Sequence, residues 1–150
     1  MASGMMAGGY LLDTNVVSEL CKPKPDVKVN QFVLGLPATH ISVMTLAELQ
    51  AGIAQSASKG NNVQRLNTWF SKLQGQAVVH DITKDIAIQA GQWRGELKAA
   101  GKNQEYPDIL IAATTLVQGL QLATRNTGDF EYMANKGLAI YNPWCNQEIR

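Results

Sequence analysis

The chain is poor in cysteine: Cys21 and Cys145 are the only two, and neither belongs to a Cys-x-x-Cys spacing. That argues against both a disulfide framework and a cysteine zinc site, and makes a reducing cytoplasm the expected location. No stretch contains the 18 or more consecutive apolar residues that a membrane span requires. The opening residues 1–9 (MASGMMAGG) lack a basic region ahead of an apolar one, so a secretory signal is not expected. They read as a tag or flexible N-terminus, with Met5 or Met6 as a later start. Net charge is also nearly absent, at +1 from 13 basic and 12 acidic residues. A protein that grips nucleic acid through an overall basic field is thereby excluded, and any such contact must be local. Repeats, low-complexity tracts and divisive linkers are missing too, so residues 10–150 are expected to form one domain.

What the chain does have is short apolar runs alternating with helical periodicity. Tyr10, Leu11 and Leu12 read as a buried strand ending at Asp13, followed by a short helix through Val16, Val17 and Leu20 that Pro23 and Pro25 break. A second short helix covers 26–34, a strand 40–43, and a helix opens with Thr45 as N-cap and Glu48 as its capping-box partner, running to about Ala57. Residues 64–73 form the return helix of a hairpin, 77–82 a third strand, and Thr83 caps a long helix that Gly101 stops. Pro107 suits the first turn of a helix from Asp108 to about Gln118 that is apolar almost all round and hence buried. Residues 120–123 and 138–141 complete about five strands. Strands separated by helices predict an α/β fold with a mainly parallel sheet covered on both faces, whose ligand site lies beyond the carboxyl ends of the strands.

Three acids fall at that edge: Asp13 ends the first strand, Glu48 follows the second, and Asp108 sits in the first turn of the buried helix. Asp129, after the fourth strand, is a further candidate. Unit negative charges about 4 Å apart repel by roughly 4 kcal/mol per pair at an effective dielectric of about 20, and helix N-termini return only about 0.3–1 kcal/mol each. A hard dication with oxygen ligands, Mg²⁺ or Mn²⁺, resolves the imbalance and suits phosphodiester hydrolysis. Singly, each acid has a plainer explanation: a capping box for Glu48, a helix-dipole partner for Asp108, an Asx turn for Asp13, an N-cap for Asp129.

The segment Leu11-Leu12-Asp13-Thr14-Asn15-Val16-Val17-Ser18-Glu19 resembles the opening motif of PIN-domain nucleases, in particular the VapC and FitB-like toxins of bacterial toxin–antitoxin pairs. The likeness continues through Ser42-Val43-Met44-Thr45-Leu46-Ala47-Glu48-Leu49, Pro107-Asp108-Ile109-Leu110-Ile111-Ala112-Ala113-Thr114, Ala123-Thr124-Arg125-Asn126-Thr127-Gly128-Asp129-Phe130 and the ending Tyr141-Asn142-Pro143-Trp144. It implies a PIN-like three-layer α/β/α domain and a Mg²⁺-dependent endoribonuclease in which Asp13 and Asp108 bind the metal directly. Glu48 would bind it through water or position the attacking water. Many family members carry an acid where this chain has Asn126, so Asp129 is taken as the fourth acid and Asn126 as a neutral supporting ligand. Thr14 and Asn15 are expected to orient Asp13 or touch a substrate phosphate. The resemblance further implies a homodimer, a cognate antitoxin, and operator DNA reached only through that antitoxin. The alternative is a catalytically weak or inactive PIN-fold interaction module.

Local cationic candidates for RNA or partner contact are Arg94, Lys98 and Lys102, whose steps of four predict one helical face, and Arg125. His40 and His80 read as core or edge histidines. A phosphoacceptor receiver would need paired acids near the first strand and a Lys after the fifth, and a haloacid-dehalogenase-like phosphatase would need an acid where Asn15 stands.

Overall fold

The computed structural model describes residues 9–145 and 147–149, so the expectation for the first eight residues lies outside the described part. In chain order the elements are β1 (Tyr10–Leu12), α1 (Thr14–Leu20), α2 (Val27–Leu34), β2 (His40–Ser42), α3 (Val43–Ser58), α4 (Gln64–Gln76) and β3 (Val78–His80). They continue with α5 (Lys84–Ala99), α6 (Tyr106–Val117), β4 (Gln121–Ala123), a 3₁₀ turn (Thr127–Phe130), α7 (Glu131–Ala134), β5 (Ile140–Asn142) and β6 (Gln147–Ile149).

The strands form one sheet of order β3-β2-β1-β4-β5-β6. The first five run parallel and β6 pairs antiparallel with β5. Side chains alternate across the sheet as the strand period of two requires. Leu11, Leu122 and Ile140 therefore join the α5–α6 core, around Ile86, Trp93, Ile109 and Phe130. Leu12, Ile41 and Ala123 face the other way, into a core with Val16, Val17, Val29, Ile53 and Phe70 from α1–α4. Two cores on opposite faces of one sheet make the three-layer α/β/α architecture that the alternating pattern predicts. Cys21 is a free thiol.

Several element bounds shift by one to three residues from those predicted, and three differences matter most. The α3 helix starts at Val43 with Ser42 as N-cap, its hydroxyl accepting the Met44 N–H at 3.0 Å, so Thr45 is not the cap and Glu48 is not a capping-box residue. The α5 helix, capped by Thr83, ends at Ala99 as the predicted stop at Gly101 requires, and Gly101 takes φ +73°, a left-handed conformation that glycine adopts without penalty. Lys102 is thus beyond the helix, and only Arg94 and Lys98 of the predicted stripe share its face. Finally, β6 extends the sheet by a strand that the sequence pattern did not flag.

Candidate active site

Register explains why the site forms where it does. Leu12 pairs with Ala123, and the Asp13 N–H donates to the Ala123 carbonyl at 2.9 Å, so Asp13 and Thr124 leave the carboxyl ends of β1 and β4 side by side. Between these two strands the sheet order reverses direction, the point where a parallel α/β sheet opens a crevice.

Asp13 is buried, at 4% exposure, yet its carboxylate is well supplied with donors. One oxygen accepts the Thr14 N–H at 2.8 Å; the other accepts the Thr124 hydroxyl at 2.8 Å and the Asn15 amide at 3.3 Å. Thr124 has a free proton for this role because its oxygen accepts the Asn126 N–H at 3.1 Å and the Asn15 amide at 3.3 Å. The Asn15 carbonyl in turn accepts the Arg125 N–H at 3.2 Å, which ties α1 to the loop after β4. Burial pushes the Asp13 carboxyl above its ordinary pKa; the Thr124 and Thr14 hydrogen bonds oppose that rise, while the charges of Glu48 and Asp129 add to it.

Glu48 projects from the second turn of α3. Its carboxylate accepts the Thr14 hydroxyl at 2.6 Å, and since a hydroxyl has one proton, Thr14 must accept from Thr45 in their 3.0 Å contact. Thr45 is fully buried, and it steadies Thr14 from within α3. Asp108 stands in the first turn of α6, behind Tyr106 and Pro107. Partial burial, then the charges of Asp13, Glu48, Asp129 and Glu105, raise its pKa to about 6. Asp129 lies in the 3₁₀ turn, exposed, with its backbone carbonyl accepting the Gln104 amide at 2.6 Å; the N-cap of α7 is Phe130, so Asp129 does not serve as that cap.

Asp13, Glu48, Asp108 and Asp129, from four separate segments, therefore lie within electrostatic reach of one another. They share a field more than a point, because among the described residues no three His, Cys, Asp or Glu side chains are already gathered as a ligand cage. An open pocket of about 600 Å³ has Asp108 and Asp129 in its wall, together with Lys102, Gln104 and Glu105, while Asp13 and Glu48 stand outside its lining.

Asn126 precedes the 3₁₀ turn and makes no side-chain cap bond there. The Arg125 guanidinium sits 5.0 Å from the centre of the Trp144 ring, and its carbonyl accepts the Asn142 amide at 3.4 Å. Arg94, Lys98 and Lys102 line a neighbouring cavity. His40 and His80 bind each other, ring nitrogens 2.9 Å apart and rings stacked, both half-buried and both with lowered pKa through desolvation. Sequence reasoning missed Thr124, Thr45, Gln104 and Glu105. Thr124 alone had a signal, since it follows β4 as Asp13 follows β1.

Fold and site together define a three-layer α/β/α protein with an acidic centre at the carboxyl edge of its parallel sheet. The PIN domain family model matches residues 10–136, and the chain belongs to the PIN-domain family. It is 36% identical over 140 residues to the toxin FitB of Neisseria gonorrhoeae, covering 89% of this chain and 97% of that protein. It is 32% identical over 142 residues to the VapC ribonuclease Y4jK of Sinorhizobium fredii, covering 89% and 96% respectively. Among solved structures, the DNA-bound VapBC of Salmonella typhimurium superimposes with a TM-score of 0.73 at 30% identity, covering 90% of this chain and 98% of that one.

Proposed function

We propose that this chain is a Mg²⁺-dependent endoribonuclease, the toxin of a toxin–antitoxin pair. The observation that carries the proposal is charge without compensation. Four carboxylates bear on one another at one sheet edge, and among the described residues the one ion pair, Lys22 with Glu19 at 2.9 Å, involves none of them. Oxygen-only donors with excess negative charge fit a hard dication, with Mn²⁺ able to replace Mg²⁺.

Asp13 and Asp108 would hold the ion, Asp13 fixed in direction by Thr124, Thr14 and Asn15, the first two also opposing the rise in pKa that burial causes. When bound, the ion supplies a lowered pKa for a bound water and neutralises charge on the scissile phosphate. Glu48, held by Thr14, is placed to orient that water, and Asp129 completes the negative wall, with the neutral Asn126 as a supporting oxygen donor. The family relatives support the rest of the reading. FitB is named a toxin, Y4jK a ribonuclease, and a further similar structure is titled a toxin–antitoxin complex from Klebsiella pneumoniae. A cognate antitoxin, operator DNA bound through it, a homodimer and a cytoplasmic location belong to the same proposal.

Digestion of RNA in the presence and absence of Mg²⁺ or Mn²⁺ tests it. Wild type should cleave with metal and stop with a chelator, and Asp13→Asn or Asp108→Asn should each slow cleavage by on the order of a hundredfold or more, as expected when several kcal/mol of metal-borne stabilisation are lost. Equal cleavage by all three proteins would mark the activity as a contaminant. Binding of an antitoxin without any cleavage would leave the interaction module, the reading that the neutral Asn126 favours.

A further inference from the structure

Lys102 and Gln104 belong to two cavities at once. On one side they line the acidic pocket with Asp108 and Asp129; on the other they line a smaller cavity of about 260 Å³ with Arg94 and Lys98. The turn forced by Gly101 brings Lys102 back over the end of α5, so three cations meet on one rim although only two share the helix face. Glu105 also lines both cavities, leaving the smaller one positive on balance. None of the three cations has an acidic partner within ion-pair distance among the described residues. Beside them, Tyr106 is exposed on α6, two residues before Asp108, with the Arg94 guanidinium 4.5 Å from its ring centre.

A cationic cavity that shares Lys102, Gln104 and Glu105 with an acidic one, and whose Arg94 packs against an exposed aromatic ring, offers what a nucleic-acid strand presents: phosphate and base. We propose that Arg94, Lys98 and Lys102 form a phosphate subsite for the strand flanking the scissile bond, and that Tyr106, packed on Arg94, stacks an unpaired base beside that subsite. This rests on the nuclease reading and deepens it by naming the residues that would hold an unpaired strand. Stacking needs a base free of its partner, and single strands are held through this combination of backbone cations and aromatic faces. Arg94 beneath the ring pre-sets its plane and lends it charge.

The test is the binding of a short fluorescent oligouridylate to the Asp108→Asn protein over a range of salt. Each lost phosphate contact should make the slope of log affinity against log salt shallower by about 0.7. Adding Arg94→Ala and Lys98→Ala together should flatten it by about 1.4, whereas Lys59→Ala, at the far end of α3, should leave it unchanged. Tyr106→Ala should weaken single-strand binding by about tenfold, and Tyr106→Phe should restore it, because the ring and not the hydroxyl makes the stack. All these side chains are exposed, and matched thermal melts confirm that the variants fold. An unchanged slope in the double variant, a duplex held as tightly as the single strand, or equal binding of polyglutamate would each overturn the subsite. Cleavage by wild type alongside an unchanged slope would remove the subsite and leave the nuclease standing. Absence of cleavage alongside a flattened slope would do the reverse.

Discussion

At the scale of single residues, Asp108 and Thr124 give the sharpest expectations. In the folded protein the Asp108 carboxyl keeps its proton up to about pH 6, against an ordinary value of 3.8. The folded state then binds more protons than the unfolded one across that window, so stability present below it is lost as pH rises through about 6. Asp108→Asn removes the penalty. Without metal it should melt a few degrees above wild type at neutral pH, at about 2–4 °C per kcal/mol for a chain of this size, with the gap closing below the carboxylate range. Thr124→Val deletes the buried hydroxyl that donates to Asp13 at 2.8 Å. Mn²⁺ affinity should fall about 10–100-fold, as is common when a group orienting a metal ligand is lost, and Thr124→Ser should recover it. The four acids could be placed at one edge from the sequence because Asp13 ends a strand, Glu48 and Asp129 follow strands, and Asp108 opens a helix. Gln104 could not be, because its role exists only once the loop after α5 reaches the 3₁₀ turn, and Thr124 had only its place after β4 as a signal, its role existing once β1 lies beside β4.

Among the elements, the start of α3 shows how local signals mislead. Thr45 and Glu48 have the spacing of a capping box, and Ser42 stands three residues earlier with an equally suitable hydroxyl. Tertiary structure decides in favour of Ser42, because β2 passes into α3 without a loop and Thr45 is drawn inside to meet Thr14. Glu48 is thereby released from capping and faces Thr14 and the other acids. Ser42→Ala should cost about 1 kcal/mol in chemical denaturation, the usual loss for a side-chain cap; a cost near zero would return the cap to Thr45. The steps of four from Arg94 to Lys102 misled in another way: the stop at Gly101, itself predicted, takes Lys102 out of the helix that the spacing assumes. The alternation of strands and helices, by contrast, carried the layer architecture, because the pattern that builds each element also fixes which face it buries. The antiparallel β6, three residues long at the sheet edge, has too little pattern to announce itself.

On the scale of the molecule, the sheet order places the reversal between β1 and β4, and thus fixes where distant segments must deliver their carboxylates. Two apolar cores brace the sheet from both faces, so the fold bears the mutual repulsion of the acids that the proposed cation would relieve. A dication that binds only the folded state should stabilise it by about 2.7 kcal/mol at a hundred times its dissociation constant. Affinity should weaken as pH falls through about 6, where Asp108 takes up its proton. The most direct measurement is therefore a titration with Mn²⁺ at neutral pH, followed by electron paramagnetic resonance of the free ion, on wild type beside Asp13→Asn and Asp108→Asn. The expected result is a saturable site in wild type that each substitution abolishes or weakens severely. Equal binding by all three proteins, or none by any, would contradict a shared metal centre at this sheet edge.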